Sequence, residues 1–101
     1  MYVETMPVSP DKEADYHSWY NDTHLAQILS VEGVLSARRF APTNGDGPFV
    51  AIYELDCDDL DAAVARLGEL GARGGLTGME NLSMDPPPVP RVYREIGSLG
   101  T

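Results

Sequence analysis

A small α+β domain built in the order β, α, β, β, α, β, with a four-stranded antiparallel sheet carrying both helices on one face, is the fold that this sequence predicts. Three observations carry the prediction. Two stretches with helical punctuation alternate with short runs rich in β-branched and aromatic residues. A glycine-rich reversal, TNGDG, joins two of those runs into a hairpin. The element order is that of the ferredoxin-like split βαβ arrangement.

Each element has a local reason. Tyr2 to Met6 holds Tyr, Val and Thr and suits a first strand. Ser9, Pro10, Asp11 and Glu13 mark a helix start, since a hydroxyl can cap a free amide, Pro fits the first helical position and acids oppose the positive end of the dipole. That helix is expected to run to about Val31 and to leave through Gly33 in the left-handed conformation. Val34 to Pro42 and Pro48 to Leu55 form the hairpin strands. Asp58 is the expected cap of a second helix, in which Leu60, Val64, Leu67 and Leu70 recur at helical spacing until Gly71. A glycine-rich stretch from Gly74 to Gly78 and a loop through Pro88 then lead to a last strand, Arg91 to Ile96. The length of 101 residues allows one domain with one core.

Composition excludes several functions. The net charge is -9, with one lysine, Lys12, and six arginines from Arg38 to Arg94 that form no basic stripe. A phosphate backbone or an anionic membrane surface would be repelled, so neither nucleic acid nor membrane is an expected partner. No apolar run approaches the ~20 residues of a bilayer span, and MYVETMPVSP lacks the basic flank and apolar core of a leader, so a cytoplasmic location is expected. Cys57 stands alone, which rules out an internal disulfide and a cysteine cluster, and a small, partly buried thiol is expected there. No metal and no cofactor is expected. His17 and His24 are separated by a helical rise of roughly 10 Å, too far to share one ion. The glycines at 74–78 neither follow a strand nor open a helix, which excludes a phosphate loop.

Chemistry concentrates in HSWYNDTHL, from His17 to Leu25. At ~100° per residue, Tyr16, Tyr20, His24, Gln27 and Val31 share one arc, with His17 and Ile28 at its margins and Trp19 to one side. Rings with polar tips on one arc suit the wall of a pocket. His24 can accept and return a proton near neutral pH, and Tyr20 can hydrogen-bond a developing enolate or phenolate oxygen. Tyr16, Gln27, Ile28, Tyr53 and Met79 are the expected ligand contacts, with Met79 and Met84 in an adaptable lid. The competing reading makes His24 a buried histidine that fixes helix against sheet.

The third strand is apolar on both sides, with Phe49, Ala51, Tyr53 and Leu55 on one face and Val50 and Ile52 beside Glu54 on the other. Two helices cover one face only. A second copy packed on the other face makes a homodimer the expected assembly. Arg38 and Arg39 point to opposite faces, so at most one enters a given cavity, and an ion pair with Glu54 across the dimer interface is expected for either.

WYNDTHL, the link SVEGVLSARRF and the return FVAIYEL resemble the EthD-like branch of the dimeric α/β barrel superfamily, over nearly the whole chain from Tyr2 to Ile96. The family's pairing of an aromatic with a histidine four residues later falls on Tyr20 and His24. Where the branch often has proline soon after that histidine, this chain has Leu25 and Ala26, which implies a more regular local helix. The resemblance implies a homodimer with a cleft between sheet and helices for a hydrophobic or aromatic metabolite. It implies cofactor-independent acid-base chemistry of the lyase, isomerase or cyclase kind on a carbonyl or phenolic compound. The alternatives are a ligand-binding or stress-related barrel without turnover, and a cofactor-free or haem-dependent monooxygenase. Fold alone does not choose among them.

Overall fold

A computed structural model describes residues 1–100. Strands β1 (Tyr2–Thr5), β2 (Val34–Phe40) and β3 (Phe49–Leu55) form an antiparallel sheet in the order β1-β3-β2. Register is set by Tyr2 opposite Ile52 on one side of β3 and by Arg39 opposite Ala51 on the other. Residues 41–48 close the hairpin, where Gly45 and Gly47 take positive φ and the Asn44 side chain accepts from the Asp46 amide.

The first helical layer is one rod in three parts. After a 3-10 turn at Pro10–Lys12, α1 (Glu13–Trp19) passes through a π turn (Tyr20–His24) into α2 (Leu25–Leu29). The second helix, α3 (Leu60–Ala72), follows a 3-10 turn at Cys57–Asp59. Gly33 sits at φ +99°, the left-handed exit expected of it, and a Cβ there would stand 2.7 Å from the Ala63 Cβ. Glycine thus serves twice, for the backbone turn and for the close approach of α3.

The inner face of the sheet carries buried Val3, Thr5, Ala51 and Tyr53, which meet Tyr16, Tyr20 and Ile28 from the rod. The largest side chains with almost no exposure are Tyr16, Tyr20 and Tyr53. A core built on tyrosine must place three hydroxyls as well as three rings.

Several sequence expectations need correction. The fourth strand is absent: Arg91 makes a single antiparallel bridge to Tyr2, and the chain to 100 has no regular structure. Pro86, Pro87, Pro88 and Pro90 cannot donate to a ladder. The described sheet therefore has three strands, which fits a ferredoxin-like arrangement without completing it. The caps differ too. The Ser9 hydroxyl donates to Asp11 instead of capping an amide, and Asp56, not Asp58, caps the second helical segment by accepting from the Asp58 amide. Cys57 is exposed.

The outer face of the sheet has no covering layer among the described residues. Phe40 is 48% exposed and Ile52 37%, with Glu54 and Arg38 beside them. Across this face and the final segment run two open clefts. One, of about 600 Å³, is bordered by Tyr2, Glu4, Pro87 and Tyr93. The other, of about 1010 Å³, is bordered by Arg38, Ile52, Glu54 and Tyr93.

Candidate functional site

The π turn is the local departure that shapes the site. The Leu25 amide donates to the Tyr20 carbonyl, five residues back, and so admits one extra residue into the turn. In a regular helix Trp19 and His24 would stand roughly 140° apart around the axis. Here they stack, with ring centroids 4.7 Å apart and an interplanar angle of 23°. The regular helix expected from Leu25 and Ala26 is thereby corrected: the chain takes a π turn at Tyr20–His24, and the Trp19–His24 stack accompanies the wide form.

His24 is enclosed by rings on two sides. Tyr20 meets it edge-on at 4.8 Å, and Trp19 covers a face. Burial pushes the imidazole below its ordinary value of 6.5; the nearby Gln27 amide opposes the shift and the charge of Arg39 adds to it. Yet Nδ1 of His24 and Oε1 of Gln27 are both buried without a hydrogen-bond partner. The two atoms are complementary neighbours, an imidazole nitrogen that can carry a proton and an amide oxygen that accepts, and Gln27 is the hydrogen-bonding side chain that opposes the lowering of His24.

The 73–78 segment lies against this turn. The Trp19 indole donates to the Thr77 carbonyl at 2.8 Å, and the Gln27 amide nitrogen donates to the Thr77 hydroxyl at 2.8 Å. Gly78, at φ +76°, lets the indole approach so closely that an added Cβ would overlap its Nε1. Met79 is half-buried against the core, whereas Met84 is 55% exposed, so only Met79 joins the cover over the helix.

Below His24, toward the sheet, four hydroxyl-bearing residues converge. Thr5 Oγ1 and Tyr16 Oη are 2.6 Å apart, and the hydroxyls of Tyr20 and Tyr53 are 3.5 Å apart. Burial raises both Tyr20 and Tyr53 above the ordinary phenol value of 10, so both are neutral donors at physiological pH.

Arg39 closes the arrangement from the edge strand β2. Its guanidinium lies 4.3 Å from the Tyr20 ring centroid and 5.3 Å from that of Tyr16. Nη1 donates to Asn21 Oδ1 at 2.8 Å, and Nη2 is 3.1 Å from His17 Nδ1. His17 Nε2 is in turn 3.8 Å from Glu13. Burial lowers His17, Arg39 lowers it further, and Glu13 opposes them.

The structure therefore brings Tyr16, Tyr20, His24 and Tyr53 together, with Gln27 on the loop side. Ile28 is core packing, buried with Val3 and Val34. Of the residues read as site residues, only Tyr53 borders either surface cleft, and its ring is buried. Arg39 was missed as a partner of the rings. The alternation of β2 carried the missing signal, since it sends one of two adjacent arginines to the helix side. No three His, Cys, Asp or Glu side chains converge as a metal set among the described residues, and no described helix is long and apolar enough to cross a membrane.

No protein-family model matches the chain, and no curated protein matches it.

Both histidines have lowered folded values, so the unfolded chain takes up protons first as pH falls. Their contribution to stability is full above about 6.5 and is lost as pH drops through the folded values. An NMR titration should find His24 and His17 with midpoints below 6.5, and chemical denaturation should show stability falling in the same window. A His24 midpoint at or above 6.5 would contradict the enclosed, neutral imidazole.

Proposed function

We propose that the rod face bearing Tyr20 and His24 is a small-molecule site of the dimeric α/β barrel type, and that it performs cofactor-independent proton transfer on an aromatic carbonyl or phenolic compound. One observation carries the reading: a neutral imidazole enclosed between the rings of Trp19 and Tyr20, with the Gln27 amide oxygen beside it. A ligand with a hydroxyl beside a carbonyl can donate that hydroxyl to Gln27 Oε1 and present its acidic proton to the unprotonated nitrogen of the imidazole. In this scheme His24 takes a proton from the carbon or hydroxyl next to the carbonyl and returns it at a second position. Tyr20 donates its phenol proton as a hydrogen bond to the oxygen on which charge develops. Entry requires the Thr77 contacts to Trp19 and Gln27 to open, so the 73–78 segment acts as the cover.

A second reading, ligand binding without turnover, is favoured by the engagement of Tyr20 with Tyr53 and by the almost complete burial of both. Titration with a panel of small phenols and aromatic ketones, followed by NMR and by product analysis, separates the two. His24→Ala should keep the fold and lose turnover or weaken aromatic binding at least tenfold. Tyr20→Phe should retain the packing and lose the hydrogen bond to the ligand. A His24→Ala variant that is strongly destabilised yet binds the panel normally would reject the site.

The assembly belongs to the same reading. The outer sheet face exposes Phe40 and Ile52, and a second copy packed on it covers both while placing Arg38 near Glu54 of its mate. A stable interface of this kind removes roughly 1,200 to 2,000 Å² from water. Light scattering at micromolar concentration should give twice 11.0 kDa; a clean monomer would refute the dimer.

A further inference from the structure

Among the described residues, Arg39 is the one half-buried arginine without a carboxylate partner. Arg66, the other half-buried arginine, holds Asp59 at 2.6 Å, while Arg38, Arg73, Arg91 and Arg94 are exposed to water. In a chain with sixteen acids, a half-buried guanidinium held only by neutral acceptors beside the candidate site is a chemical feature in its own right. Both terminal nitrogens of Arg39 face neutral acceptors, Asn21 Oδ1 and His17 Nδ1, and the guanidinium plane rests on Tyr20.

From this we infer that Arg39 is the binding residue for a carboxylate, and that the ligand of the Tyr20–His24 site is an aromatic acid. The inference rests on the site reading above and names its substrate class. Two parallel N–H groups match the two oxygens of a carboxylate, and a bond to an anion is roughly twice as strong as one to a neutral acceptor. Asn21 is exposed and can yield its place to the incoming oxygen without leaving a buried atom unpaired. His17 can turn from Arg39 to the ligand, and Glu13 stands behind it, on the Nε2 side. The lowered histidines suit the same ligand. With both imidazoles neutral, Arg39 is the cation of the site, and Glu13 faces it only from beyond His17.

Benzoate and its neutral counterpart benzamide, titrated against the isotopically labelled full chain by NMR, test the proposal. Benzoate should shift the Arg39 side-chain, His17 and Asn21 signals and bind at least tenfold tighter than benzamide. Arg39→Met should abolish that preference. Asn21→Ala, which frees Nη1, should tighten benzoate, and it decides the matter if Arg39→Met fails to fold. Equal binding of the two probes, or a benzoate affinity unchanged by these substitutions, would overturn the carboxylate assignment. If benzamide then still shifted Tyr20 and His24, the aromatic site would stand without it. Binding of neither probe would overturn both.

Discussion

Three tyrosines buried between one helical rod and one face of the sheet constrain everything else in this molecule. A ring buries apolar area wherever it packs, but its hydroxyl needs a partner at a particular point. Tyr16 finds Thr5 on β1, and Tyr20 finds Tyr53 on β3. These contacts fix both the angle and the register at which the rod crosses the strands. The rings add edge-on contacts, Tyr16 with Tyr20 at 5.7 Å among them, each worth about 0.5 to 1.5 kcal/mol beyond area alone. Arg39 then occupies the wedge between rod and edge strand, where its charge is held by ring faces and neutral acceptors.

From that arrangement the character of the site follows. The positive charge of Arg39 acts on His17, His24, Tyr20 and Tyr53 alike, lowering each. For the imidazoles it acts with burial, and both stay neutral. For the phenols it opposes burial, which wins. The result is a row of neutral donors and acceptors around one cation, covered on its far side by a segment that Trp19 and Gln27 hold through Thr77. The absence of glycine's side chain at Gly78 is what brings that segment flush against the indole.

Much of this was legible in the sequence. The hairpin, the rod, the left-handed exit at Gly33 and the pairing of Tyr20 with His24 follow from spacing and turn chemistry, which are local properties. The two faces of β3 were readable too, because alternation is a property of each strand by itself. What escaped was non-local or cooperative. The π turn brings Trp19 onto His24, a juxtaposition that a fixed 100° wheel cannot represent. The fate of the segment after Arg91 depends on what β1 can still pair, and its apolar pattern looks like a strand whether or not an edge awaits it. Arg39 is indistinguishable from Arg38 until the helix side of β2 is known, so its position over Tyr20 needed the sheet register. Cys57 sits in a polar 3-10 turn, and its residue type alone suggested burial.

The central claim is that burial keeps both imidazoles neutral and that the charge of Arg39 adds to that lowering across the rod. Histidine titration by NMR in an Arg39→Met variant, with the folded spectrum as its control, tests it most directly. Removal of the charge leaves burial as the main lowering influence, so the midpoints of His17 and His24 should both rise relative to the parent chain. If neither midpoint moves while the fold is retained, Arg39 does not organise the site.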